Sequence, residues 1–235
     1  MLFGTIQTAH VKGDIMKQNT IRQAYATSKN IYDDTLTQSK WWSRLYISFF
    51  WGGVDDIKIA ARVFESIPDD FSGRLLDVPV GTGVFTAEKY KAMPNAQITC
   101  VDYSQDMLQQ AQKRFANCNL RNVVCVQGDV GSLEFGDETF DIVLSMNGFH
   151  AFPDKEKAFA ETVRVLKKGG TFCGCFYIKG QLKRTDFIVN TLLAKKGWFT
   201  PPFQALEELR TTLSERYSQV EFYHEHSIAY FKCIK

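Results

Sequence analysis

This chain has little of what would suggest a membrane protein, a nucleic-acid binder or a disulfide scaffold. Across 235 residues no apolar run reaches the roughly 18 that suggest a membrane-spanning helix. The opening MLFGTIQTAHVKGD has neither the basic start nor the apolar centre of a secretory signal. A cytoplasmic protein without a membrane span is therefore expected. There is no long Lys/Arg run, and the formal net charge is +2, so no electrostatic footprint points to nucleic acid as a partner. Of six cysteines, Cys100, Cys125, Cys173, Cys175 and Cys233 fall in strand-like runs, where they read as small buried apolar side chains. The CGC at 173–175 puts two thiols on one strand face, but no second Cys/His cluster completes a ligand set, so no metal is expected. Internal repeats and low-complexity linkers are also missing.

What is present is a chain able to bury a core. With 45% hydrophobic and 23% charged residues it falls among globular proteins, and its length suits one main domain. From residue 74 onward, strand-like and helix-like segments alternate. The strands are RLLDV, QITCVD, VVCVQGD, FDIVLSMN and TFCGCFYI. Between them, SQDMLQQAQKRFA places Leu108, Ala111 and Phe115 on one face behind a Ser104 N-cap. EKAFAETVRVLKKGG gathers Phe159, Val163 and Leu166 before a stop at Gly169. Two further helical stretches flank WFTPP, and the chain ends in a hairpin pattern, VEFYHEH then SIAYFKCIK, with His224 and His226 on one strand face. This predicts an α/β fold, doubly wound and Rossmann-like, whose mostly parallel sheet ends in an antiparallel hairpin. Residues 1–70 differ in character, being helical and rich in aromatics, and read as an appendage to a core spanning 71–235.

The segment LLDVPVGTGVFT joins the first strand to the following helix through a glycine-containing turn. Such a turn aims backbone N–H groups and the positive end of a helix at whatever lies above the sheet, although tight packing alone also explains glycine there. Ligands of open α/β sheets bind beyond the strand C-termini. Three carboxylates stand at those ends: Asp77, Asp102 and Asp129. Asp102 is placed to accept from ribose hydroxyls, and Asp129 from an exocyclic amine. A dinucleotide would want GxGxxG and no acid at the turn, whereas DxPxGxG keeps Asp77 at its mouth and suits a cationic ligand. S-adenosylmethionine has adenine, ribose, an amino group and a sulfonium, and no phosphate.

Taken in order, LLDVPVGTG, VDYSQDMLQQAQKR, GDVGSLEFGDETFDIVLSMNGFHAF and ETVRVLKKGGTF resemble the class I S-adenosylmethionine-dependent methyltransferases over about residues 74–180. That resemblance implies a seven-stranded sheet and S-adenosylmethionine as cofactor. It also implies that Asp77 and the backbone at Val80, Gly81 and Gly83 face the methionine moiety, and that Asp102 takes the ribose hydroxyls. Tyr103 and Met107 would flank the adenine, Asp129, beside Val130, would accept from its amine, and Asn147 would line the methyl channel. Pro79 stands where the family usually has glycine. It removes a donor, so N–H contacts are expected from Val80 onward.

Methyl transfer from a sulfonium needs positioning more than acid/base chemistry. His150, in SMNGFHAF, is read either as a base on the rim or as a residue shaping the turn. The aromatics of AYATSKNIYDDTLTQSKWWSRLYISFFWGG read either as a lid over the acceptor or as a cap on the core. In outline this segment is similar to the N-terminal region of ubiquinone/menaquinone-biosynthesis methyltransferases, with Tyr32 and Asp33 at that group's recurring Tyr-Asp; a lid would be the segment around Tyr32, Trp41 and Trp42. The expected acceptor is a small, partly apolar or aromatic molecule, and the expected state a monomer or homodimer. A protein or RNA methyltransferase, or a non-methylating member of the fold, is the alternative.

Overall fold

The computed structural model describes residues 54–235. Its sheet has seven strands in the order β3-β2-β1-β4-β5-β7-β6: β1 Arg74–Asp77, β2 Gln97–Asp102, β3 Val123–Gln127, β4 Phe140–Met146, β5 Leu166–Tyr177, β6 Gln219–Glu225 and β7 Ile228–Ile234. The first five run parallel, and β7 is antiparallel to both β5 and β6. The order turns back between β1 and β4, so the crevice above their C-terminal ends is the topological switch point of a doubly wound sheet. This is the expected fold. The central strands carry it because they are apolar on both faces: in β4 only Asp141 is not buried.

Two layers of helix cover the sheet. α1 (Asp56–Phe64), α2 (Ala87–Lys91) and α3 (Gln105–Asn117) lie on one side. In α3, Met107, Leu108, Ala111 and Phe115 are buried and the Ser104 hydroxyl accepts from the Met107 N–H at 3.4 Å. On the other side are α4 (Lys155–Val165), capped by Asp154, and α6 (Leu206–Ser214). α5 (Lys183–Ile188) continues into a π-helical turn at Val189–Leu193, within the helical stretch expected before WFTPP.

Three readings change. The helix expected to stop at Gly169 ends at Val165, because Leu166 is already extended and pairs with Phe140, so β5 starts three residues earlier than that stop. His226 sits in the hairpin turn at φ 49°, leaving only His224 on the strand. Residues 54–67 are not set apart from the sheet. Val54, Ile59, Ala60, Val63 and Ile67 are buried in the cluster that includes Leu75 and Leu144, and α1 packs on β5 and β7. Residues 1–53, with the expected lid, lie outside the described residues.

Candidate functional site

The turn after β1 is held from several sides. Val78 donates to Leu144 O at 2.9 Å, Val80 to Val101 O at 2.9 Å, Gly81 to Asp102 Oδ2 at 2.8 Å and Gly83 back to Val80 O at 3.1 Å. The Val78–Pro79 peptide is cis. Thus the N–H groups of Val80, Gly81 and Gly83, expected to meet a ligand, are used inside the protein. The cause is the tightness of the turn, which closes on itself and on β2. Around this turn two glycines are demanded by close approach: a Cβ on Gly83, at φ 68°, would lie 2.7 Å from the Phe115 ring, and one on Gly148 would lie 2.2 Å from Pro79 Cδ.

Above the strand ends lies a cavity. Asp77, Pro79, Val80, Gly81, Asp102, Tyr103, Met107, Asp129, Val130 and Asn147 all line it, which is the expected cofactor set with one omission. Gly83 is the omission; it supports the turn from behind, against Phe115. The sequence reading missed Thr82, Phe85, Thr86, Ser104, Met146, Ala151, Phe152 and Pro153, which also line the cavity. Thr82 and Thr86 could have been found, since both belong to the turn already singled out.

The carboxylates differ in their partners. Asp77 is 1% exposed, and its Oδ2 accepts from the Tyr90 hydroxyl at 2.7 Å. Its Oδ1 has no hydrogen-bond partner, and neither has the Thr86 hydroxyl. Thr86 is near enough to favour the charged form of Asp77 slightly, but out of hydrogen-bonding geometry. Burial dominates and pushes the Asp77 carboxyl up to about 7, against the Tyr90 bond, which lowers it. Asp102 accepts from Gly81 N and Ser104 N, each at 2.8 Å, yet burial still pushes it up to about 6. Asp129 accepts from Gly131 N at 2.8 Å. Its loop is clamped to α4 by Arg164, which donates to Phe135 O, Leu133 O and Glu161, while Glu161 accepts from Leu133 N at 2.7 Å.

Past the end of β4, Asn147 lines the cavity at φ 55°, its N–H donating to Cys175 O at 2.7 Å. His150 does not line it, although Ala151 and Phe152 do. The imidazole is 6% exposed, stacked on Phe199 with centroids 4.0 Å apart, and its Nδ1 accepts from Tyr177 N at 3.4 Å. Burial, helped by the Lys155 charge, pushes it down to about 3. The expected place on the rim is therefore corrected: His150 is packed behind it, and of its two readings the geometry favours the structural one. Tyr32 and Trp41 lie outside the described residues. Among the described residues no cluster of His, Cys, Asp or Glu could hold a metal, and no helix is long and apolar enough to cross a membrane.

The profile of the methyltransferase domain matches residues 75–170. A demethylmenaquinone methyltransferase of Thermotoga maritima is 34% identical over 164 residues, 67% of this chain and 69% of that protein. The chain belongs to the class I S-adenosylmethionine-dependent methyltransferases. A ubiquinone/menaquinone biosynthesis C-methyltransferase of Desulfotalea psychrophila is 38% identical over 107 residues, 46% of this chain. The match spans only about two-fifths of that relative, 42% of its length. Among solved structures, an S-adenosylmethionine-dependent methyltransferase of Thermotoga maritima, a possible histamine N-methyltransferase, superposes with a TM-score of 0.65. It is 19% identical, covers 92% of this chain and 99% of that one, and thereby shows the shared fold.

The family's cofactor is S-adenosylmethionine, and the residues present fit it. Two buried oxygens without a donor, Asp77 Oδ1 and Thr86 Oγ1, suit an ammonium group. A pyrophosphate would find a carboxylate there and no free N–H at Val80, Gly81 or Gly83.

Proposed function

We propose that this protein transfers the methyl group of S-adenosylmethionine to a small aromatic acceptor of the hydroquinone type. The observation that carries the proposal is the unsatisfied Asp77 oxygen in the cavity, for it calls for a cationic, hydrogen-bonding ligand rather than a phosphate. In this reading Asp77 and Thr86 hold the amino group, Asp102 accepts from the ribose hydroxyls, and Asp129 accepts from the adenine amine. Tyr103 and Met107 flank the adenine ring. The bound cofactor supplies an electrophilic methyl group. The chain supplies its position, with Asn147 beside the methyl channel, and proximity of this kind is worth up to about 7 to 11 kcal/mol.

The acceptor class is supported by the cavity's far wall, where Met146, Ala151 and Phe152 are apolar, and by the quinone-directed names of the two sequence relatives. Calorimetry with S-adenosylmethionine, S-adenosylhomocysteine and NAD is the first test, with binding expected for the first two alone. Transfer of labelled methyl to a reduced naphthoquinone lacking the ring methyl is the second. No transfer to that acceptor, with cofactor binding intact, would overturn the acceptor assignment.

We also assign the aromatic segment around Tyr32 and Trp41 to covering the acceptor. Deleting residues 1–52 is expected to leave a soluble, cooperatively melting protein that binds cofactor and has lost most of its turnover, since a lid excludes water and positions the acceptor. An insoluble product would show that these aromatics belong to the core instead.

A further inference from the structure

Tyr90 stands behind the cavity rather than in it, yet its one polar side-chain group is engaged there. The residue lies one helical turn past Thr86, its N–H donating to Thr86 O at 2.9 Å, so the two side chains leave α2 on the same face. The Tyr90 ring is 0% exposed and tilted against Phe115 with centroids 5.9 Å apart, and Phe115 in turn packs against Gly83. A phenylalanine would fill that space equally well. The hydroxyl is what differs, and it donates to Asp77 Oδ2 at 2.7 Å. A buried hydroxyl on a buried carboxylate gains little stability over an apolar pair of the same shape, so packing does not account for the polar contact.

Asp77 lines the cavity and Tyr90 does not. The bond therefore engages the carboxylate from behind, through Oδ2, and leaves Oδ1, which has no hydrogen-bond partner among the described residues. A carboxylate free to turn about its last torsion would offer either oxygen, whereas one held at Oδ2 presents the same oxygen every time. Burial raises the Tyr90 phenol well above its ordinary range, so the hydroxyl keeps its proton and remains a donor toward Asp77. That bond is the largest influence favouring the ionised carboxylate, against burial, which favours the neutral one. The other titratable groups whose charges interact with Asp77 are Asp102 and Cys100 on β2, Cys125 on β3 and Cys173 on β5. None of them is a cation.

We propose that Tyr90 is a positioning residue for the cofactor: by holding Asp77 at Oδ2 from behind, its hydroxyl leaves Oδ1 for the ammonium group of S-adenosylmethionine. The inference rests on the reading given above in which Asp77 holds that group. Tyr90 does not line the cavity, so it acts through Asp77. Ligands that carry the amino-acid end are therefore sensitive to the Tyr90 hydroxyl, and ligands that share only the adenosine part are not. In the same reading the adenosine part is held by Asp102 and Asp129, neither of which bonds to Tyr90.

The test compares wild type, Tyr90→Phe, Asp77→Asn and the double variant in the full chain. Calorimetry measures binding of S-adenosylhomocysteine, which has the amino-acid end, and of methylthioadenosine, which lacks it. At pH 7 Tyr90→Phe is expected to weaken S-adenosylhomocysteine binding by about 10-fold, the scale of one hydrogen bond to a charged group, and to leave methylthioadenosine within about twofold. The rise of S-adenosylhomocysteine affinity with pH should move to higher pH in Tyr90→Phe, because the carboxyl loses the bond that lowers it. In the Asp77→Asn background the same change should add no more than about twofold, since the two side chains act as a unit. Equal weakening of both ligands, or binding of neither, marks a packing role and overturns the inference. Undiminished S-adenosylhomocysteine affinity in Tyr90→Phe overturns it as well. If Asp77→Asn alone leaves that affinity unchanged, the amino-group reading fails, and this inference with it.

Discussion

On the cavity wall formed by the ends of β1 and β2, carboxylates are buried with bonding capacity left over. On the wall that follows β4, His150 is buried with its ring closed off. Asp77 keeps one oxygen without a donor, whereas the His150 ring is stacked on Phe199 and accepts from Tyr177 N. A fold tolerates an unsatisfied buried carboxylate at a loss in stability, and such sites mark where a ligand completes the bonding. A buried neutral imidazole stacked on a phenylalanine ring and accepting at Nδ1 marks packing. The difference teaches that burial of a titratable group is not by itself a sign of function; the free bonding capacity is.

The sharpest way to break this comparison is to push the two walls apart where they pack closely. Pro79 on the first wall meets Gly148 on the second, where a Cβ would stand 2.2 Å from Pro79 Cδ. Gly148→Ala is therefore expected to displace the turn, lower the melting temperature and reduce cofactor affinity by about 100-fold or more, the scale of overpacking strain of 1–3 kcal/mol together with lost alignment. Calorimetry and a thermal melt measure both. Retained affinity would mean that the turn has room to yield.

Asp77 gives an effect of the same order. Replacing it by Asn should weaken cofactor binding by about 2 to 5 kcal/mol, the range for truncating one partner of a buried charge pair. The pH dependence carries the sign. The folded carboxyl titrates at about 7 against an ordinary 3.8. Its contribution to the stability of the unliganded protein is therefore full below about 4 and lost as pH rises to about 7. Binding a cation works the other way, because it needs the ionised form: affinity should rise from pH 6 to pH 8, with proton release on binding below about 7. Melting curves with and without cofactor at these pH values would show the unliganded midpoint falling while the ligand-induced shift grows, and Asp77→Asn should flatten both trends. Asp56 and Asp102, also raised by burial, contribute to the fall in the unliganded protein.

Asp102→Ala should have a smaller effect, about 1.5 to 3 kcal/mol of cofactor affinity, the worth of hydrogen bonds to a charged group. Asp102 also holds the N–H groups of Gly81 and Ser104, so a fall in stability is expected beside the loss of binding. Unchanged affinity in calorimetry would remove Asp102 from the ribose site.

How far these residues could be seen in advance follows from the range over which the forces act. Asp77, Asp102 and Asp129 were legible because strand-end position is a local property of an apolar run and its last residue. The parallel core and the terminal hairpin were legible for the same reason. The direction of the turn's N–H groups was not, since it depends on Asp102 reaching across to Gly81 from 21 residues away. The end of α4 was misplaced because Leu166 pairs with Phe140, a partner that helical periodicity does not register.

His150 makes the smallest prediction and tests the comparison from its quiet side. Sequence placed it just past β4, where a base would be useful, but its ring lies against Phe199, 49 residues further along the chain, and that contact could not be read from local pattern. With the pKa at about 3 the imidazole is neutral at pH 7 and a weak proton acceptor. His150→Asn keeps a polar atom able to accept from Tyr177 N while removing the ring. We expect kcat within about threefold of wild type and no change in the shape of its pH profile, with a loss of about 1 to 3 kcal/mol in stability from the vacated stacking site. A general base at this position would instead forfeit roughly 100-fold or more in kcat at unchanged stability. Measuring kcat and the melting midpoint on the same preparation separates the two, because packing and proton transfer move those quantities in opposite proportion.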